Sequence, residues 1–161
     1  VSEAQGNIRH EAEMLKKLNK YGIGPRFLFS GRDYLVYEFV KGTMFPQYIQ
    51  QNSKQKIKKV LEEVFNQLQK LDELGINKEE MHRPRKHIIV GEKTVMIDFE
   101  RAKIKKPQNI TQFVKYLTSQ KIHPVLQEKG FSFDKDKLIQ MASEYRHGKI
   151  SGEEIKKYVK Q

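Results

Sequence analysis

Apolar positions along this chain follow a helical rhythm at both ends and a strand rhythm in the middle. Between Gln5 and Lys20, Ile8, Ala12, Leu15 and Leu18 recur at helical spacing, and Tyr21-Gly22 ends the run. Phe27 to Phe29 and Tyr34 to Phe39 predict two short strands around Ser30-Gly31-Arg32-Asp33. Phe45 to Gln51 predicts a short helix, and Asn52-Ser53 offers a cap for the next one. That helix, Lys54 to Leu74, carries the strongest pattern: Ile57, Val60, Leu61, Val64, Phe65, Leu68 and Leu71 form one stripe, closed by Gly75. The rhythm then changes. His87 to Val90 and Thr94 to Ile97 are β-branched runs around Gly91-Glu92-Lys93, which predicts a β-hairpin. Beyond Pro107 the pattern is helical again. Asn109 stands as a cap before Ile110, Phe113, Val114 and Leu117, and His123-Pro124 interrupts. Asp134 caps a helix with Leu138, Ile139, Ala142 and Tyr145, closed by Gly148. Ser151 to Glu154 is a capping box before Ile155, Tyr158 and Val159. The order implies an α+β chain with few strands and no internal repeats.

Composition narrows the chemistry. At 161 residues the chain suffices for one domain with a buried core. Its net charge of +11 suits phosphate-bearing partners (a nucleotide, nucleic acid) or an acidic protein surface, and equally a lysine-rich solvated exterior. The absence of cysteine excludes disulfides, thiolate catalysis and cysteine zinc sites. No apolar run approaches membrane-spanning length and the start is polar, so no membrane contact and a cytoplasmic location are expected.

The hairpin carries the candidate chemistry. It is entered from a loop rich in His, Arg and Lys, and it exits into Asp98-Phe99-Glu100-Arg101. Antiparallel strands bring His87 and Asp98 to the same end, where an imidazole beside a carboxylate suits a divalent cation. Arg83, Arg85 and Lys86 surround Pro84 in the entry loop and suit either phosphate charge or solvent.

The stretch Ile97-Asp98-Phe99-Glu100-Arg101-Ala102 after a hairpin resembles the catalytic segment of the protein-kinase-like fold. It is most similar to the atypical branch holding archaeal predicted serine/threonine kinases, RIO-type kinases and Kdo kinases. The resemblance implies a truncated N-terminal lobe (residues 1–40) and a mainly α-helical C-terminal lobe (41–161). It implies transfer of the γ-phosphate of ATP to a hydroxyl, with Mg²⁺ or Mn²⁺ as cofactor and a protein substrate as partner. By the same resemblance Asp98 is the metal ligand bridging the phosphates, and His87 stands where the second metal ligand would. Glu11, in His10-Glu11-Ala12-Glu13-Met14-Leu15, takes the place of the helix glutamate that pairs a phosphate-binding lysine. Tyr37 takes the gatekeeper position, the Glu38 carbonyl and Val40 amide meet the adenine edge, and Ile89 forms the floor of its pocket.

The catalytic loop departs from the family pattern. Counting back from His87 reaches His82. Counting forward from Leu74-Gly75-Ile76 reaches Glu79 and Glu80. Glu80 is the first candidate for the base, His82 the second, Glu79 the third. No glycine-rich loop and no Val-Ala-Ile-Lys-type lysine precede Glu11, and the start at Val1-Ser2-Glu3 is read as that of a fragment or a degenerate relative. The expected function is therefore an atypical serine/threonine kinase-like phosphotransferase. The alternative is an inactive pseudokinase-like module that holds RNA or an acidic partner through its basic surface.

Overall fold

The computed structural model describes residues 3–161; Val1 and Ser2, the first residues of the expected N-terminal lobe, lie outside the described residues. The chain is mixed α and β, mainly helical, with small antiparallel sheets. Helix α1 (Glu3–Asn19) leads to strands β1 (Phe27–Ser30) and β2 (Leu35–Tyr37), which pair with each other. Strand β3 (Thr43–Met44) runs into α2 (Phe45–Gln51) and then α3 (Lys54–Glu73). After β4 (Ile76–Asn77) and a short 3-10 turn (Pro84–Lys86) comes the hairpin β5 (Ile88–Val90) and β6 (Thr94–Met96). Strand β7 (Lys103–Ile104) precedes α4 (Asn109–Leu117), α5 (His123–Glu128), α6 (Lys135–Arg146) and α7 (Gly152–Val159). The hairpin joins β3 in a three-stranded sheet ordered β3-β5-β6, and β4 pairs with β7. Among the described residues no helix is long and apolar enough to cross a membrane.

Helix α3 is the central element. All seven residues of its apolar stripe, Ile57 to Leu71, are buried. They pack with Phe45 of α2 and with Ile110, Phe113 and Leu117 of α4. Phe113 lies edge-on to Phe65, with ring centroids 5.4 Å apart, and 5.9 Å from Phe45. Helix α1 joins this core through Met14, Leu15 and Leu18. Its exit is fixed by Asn19, which accepts from the Phe27 amide (2.7 Å) and donates to the carbonyls of Ile23 and Pro25 (3.1 and 3.0 Å). Both remaining cap readings at the C-terminal end hold. Asp134 accepts from the Lys137 amide, and Ser151 with Glu154 forms a reciprocal capping box.

Three local expectations need correction. Ser53 precedes α3 but its side chain makes no capping hydrogen bond. His123-Pro124 starts the short helix α5 rather than interrupting one, since proline is tolerated in a first turn. Asn109 is the first residue of α4 rather than its cap, and it is fully buried.

That buried amide is the hub between helices and site. Asn109 Oδ1 accepts from the Lys78 amide (2.8 Å), and its Nδ2 donates to Asp72 Oδ1 and to the Ile76 carbonyl (2.7 Å each). Asp72 also accepts from the Asn109 amide (3.1 Å) and from the Tyr145 hydroxyl (2.8 Å). One amide thus ties α3, β4, α4 and α6 together, and every polar atom it orients is costly to leave unpaired. Asn109→Ala is expected to lower the unfolding free energy by about 2–4 kcal/mol, read from urea unfolding. A loss below about 0.5 kcal/mol would remove Asn109 from this role.

Candidate functional site

Three residues outside glycine adopt left-handed backbone among the described residues: Glu79 (φ 66°), Glu80 (56°) and Asp98 (64°). This conformation costs an ordinary residue roughly 1–2 kcal/mol, and such strain collects at functional sites. Glu80 and Asp98 lie at one end of the β5–β6 hairpin. There His87 Nε2 stands 3.4 Å from Asp98 Oδ2 and 3.7 Å from Glu80 Oε2. The left-handed turn at Asp98 lies where the chain leaves β6, and its carboxylate faces His87. The strand register does the rest, because the Ile97 amide donates to the His87 carbonyl (2.9 Å) and closes the hairpin's open end.

The loop that bears Asp98 is held from two sides. Beneath it lies Lys78, which is 2% exposed. Its Nζ donates to the Asp98 carbonyl (2.6 Å) and sits 4.8 Å from the centre of the Phe99 ring. Burial pulls the Lys78 ammonium down to a pKa of about 8, and the nearby carboxylates of Asp98, Glu80 and Glu11 push the other way. From the other side α1 grips the loop. Glu11 accepts from the Phe99 amide (3.1 Å), His10 donates from Nε2 to the Ala102 carbonyl (2.6 Å), and Asn7 donates to Glu100 (2.8 Å). Burial raises the Glu11 pKa, with the Phe99 hydrogen bond opposing it.

The imidazole is suited to ligation. Burial, then the Lys78 charge, lowers the His87 pKa, which favours the neutral ring that metals bind. Its Nδ1 is buried with no hydrogen-bond partner. Two donors each about 2.1 Å from one ion at right angles stand about 3 Å apart, so the His87–Asp98 spacing of 3.4 Å needs only a small closure. No group of three or more His, Asp or Glu among the described residues is placed to hold a metal ion by itself. A divalent ion here needs oxygen ligands from water and from phosphate, which is how Mg²⁺ is usually held.

The other expected residues divide clearly. Glu80 faces His87 and is bound by Arg101 Nη1 (2.6 Å). Glu79 turns the other way to an ion pair with Lys105. His82 is exposed and makes no hydrogen bond or ion pair among the described residues. Glu11 pairs with a backbone amide instead of the lysine that the resemblance implied. Tyr37 borders the site, its hydroxyl pKa raised by burial and then by Glu11 and Asp98. Ile89 is buried in the hairpin. Outside β2, the Glu38 carbonyl and Val40 amide make no backbone hydrogen bond, while the Glu38 carboxylate pairs with Arg26 (2.8 Å). Glu38 and Val40 line a cleft of about 900 Å³ with Arg26, Gly42, Lys93 and Thr94. That cleft does not include Glu80, His87 or Asp98, so the cleft and the strained acidic centre are separate features.

Lys78 is the residue that sequence reasoning missed. Its one visible signal is a lysine between Ile76-Asn77 and two acids, which looks like any surface charge.

Comparison with known proteins adds a distant relative. No family model matches the chain. It is 36% identical over 69 residues to an uncharacterized protein of Methanocaldococcus jannaschii. The match covers 43% of this chain, which spans 60% of the relative's length.

A pH experiment isolates Lys78. Its pKa falls from 10.5 unfolded to about 8 folded, so between those values the unfolded chain holds the extra proton and the unfolding free energy rises with pH. The rise amounts to roughly 3 kcal/mol across that window, measured without added metal. Lys78→Met is expected to abolish it, and parallel stability curves for the two proteins would contradict the buried charge.

Proposed function

We propose that this chain is a protein-kinase-like phosphotransferase domain that moves the γ-phosphate of ATP to a hydroxyl, in the presence of Mg²⁺ or Mn²⁺. The observation that carries the reading is the convergence of Asp98, His87 and Glu80 at one hairpin end. It is supported by the order of elements. A helix with an inward glutamate precedes a short sheet and an extended link at Glu38–Val40, and a helical body built on α3 follows. The resemblance of Ile97 to Ala102 to the family's metal-binding segment points the same way.

Within this reading each side chain has a separate task. Asp98 and His87 would hold the divalent cation, which would supply positive charge for the phosphates and for the negative charge spread over the transferring group. His87 brings a nitrogen ligand, which suits Mn²⁺ better than the oxygen-preferring Mg²⁺. Lys78 and Glu11 fix the Asp98 loop without touching the nucleotide. Glu80 accepts the proton of the incoming hydroxyl, while Arg101 holds its carboxylate in place. By the resemblance the Glu38 carbonyl and Val40 amide would offer an acceptor and a donor to the adenine edge, with Tyr37 and Ile89 beside it, although neither of these lines the cleft of Glu38 and Val40.

Phosphate transfer from ATP to a mixed protein acceptor, with Mn²⁺ and with Mg²⁺, tests the assignment. Asp98→Ala is expected to remove metal-dependent turnover. Glu80→Gln is expected to slow it by about 10²- to 10⁴-fold with nucleotide binding retained. Unchanged turnover in Glu80→Gln would withdraw the base role. RNA binding that survives Asp98→Ala, in a protein with no turnover, would replace this reading with that of a basic binding module.

A further inference from the structure

Strand β7 leaves one side of its backbone without a partner. It pairs with β4 in a sheet of only these two strands. The Lys105 amide donates to the Gly75 carbonyl (3.1 Å), and Ile76 lies opposite Ile104. Antiparallel pairs alternate between bonded and non-bonded, so the Ile104 N–H and C=O point away from β4. The Ile104 side chain is 74% exposed, among the most exposed large apolar groups described.

Cations flank this edge along the chain. Lys103 and Lys106, on either side of Ile104, are exposed and form no ion pair among the described residues. The nearby acids are already neutralised, Glu80 by Arg101 and Glu79 by Lys105. Glu100, also exposed, is hydrogen-bonded by Asn7. The edge begins immediately after the Asp98 loop, so a strand laid along it at about 3.3 Å per residue reaches the acidic centre within a few residues.

We infer that the open edge of β7, with the cations around it, docks an extended acidic polypeptide segment that carries the acceptor hydroxyl. The acceptor role rests on the phosphotransfer reading above; the docking is a separate property. An open strand edge with an exposed aliphatic side chain is what an added peptide strand uses. A single-stranded nucleic acid would need aromatic stacking surfaces among the cations. The exposed rings of Phe29, Tyr34 and Phe39 lie instead on the β1–β2 hairpin and the link after it. The clustered positive charge selects acidic flanks and steers their approach.

Fluorescence anisotropy without nucleotide tests the docking, with a labelled synthetic peptide of alternating Glu and Ser. The same peptide N-methylated on alternate amides and a single-stranded oligouridylate serve as the comparison probes. The unmodified peptide is expected to bind, the N-methylated one to bind at least about tenfold more weakly, and the oligouridylate more weakly still. Ile104→Asp and the double variant Lys103→Glu, Lys106→Glu are expected to weaken the peptide by about tenfold. These positions are exposed, so melting temperatures should stay near wild type. Equal binding of the N-methylated peptide, or tighter binding of the oligouridylate, would overturn the inference. Mg·ATP binding by the wild-type protein separates the two readings. Docking in a wild-type protein that binds no Mg·ATP counts against phosphotransfer alone, whereas wild-type Mg·ATP binding that Asp98→Ala removes, without docking, counts against this inference alone.

Discussion

A buried ammonium group holds the acidic end of the hairpin in shape. Lys78 is almost completely removed from water, and its single strong contact is the Asp98 carbonyl. Burying such a charge is unfavourable, and the drop in its pKa to about 8 expresses that cost. The cost is offset locally, because three carboxylates and an aromatic face surround the ammonium. In return the chain fixes Asp98 in a left-handed turn that an unsupported loop would leave. Burial lowers the His87 pKa, and the same positive charge adds to that, so one lysine sets the direction of the carboxylate and favours the neutral imidazole.

The rest of the fold serves to place that lysine. The Lys78 amide is held by Asn109, Asn109 by Asp72, and Asp72 by Tyr145. Asp72 belongs to α3, whose buried stripe anchors the hub to the core. On the opposite side α1 closes over the Asp98 loop through Glu11, His10 and Asn7. A helix in contact with a loop through the loop's backbone groups couples its own position to the loop's geometry, so displacement of α1 would release Phe99 and Ala102 together.

Much of this was legible in the sequence where periodicity is strong. The α3 stripe, the β5–β6 hairpin and the capping box at Ser151 were each announced by spacing and turn chemistry. Strands β4 and β7 were not, because two residues carry no period and their pairing joins segments far apart in sequence. Asn109 read as a cap because asparagine favours caps, and tertiary hydrogen bonds captured it instead. Glu80 and His87 were named, and Glu80 was placed ahead of His82 and Glu79, but the two counts along the loop reach different residues and do not decide between them. The left-handed turns at Glu79 and Glu80 send neighbouring carboxylates in opposite directions, and only the fold reveals which one faces His87. Lys78 was invisible for a related reason: nothing local distinguishes a buried lysine from a solvated one.

The central claim is that Asp98 and His87 together take a divalent cation that arrives with a nucleotide. Proton NMR of the imidazole rings during a Mn²⁺ titration tests it most directly, since the paramagnetic ion broadens only nearby signals. With ATP present, the His87 ring signals should broaden at Mn²⁺ levels that leave His123 and His147 sharp, and Asp98→Ala should remove the effect. Broadening of all three rings alike, or of His87 alike in both proteins, would contradict it.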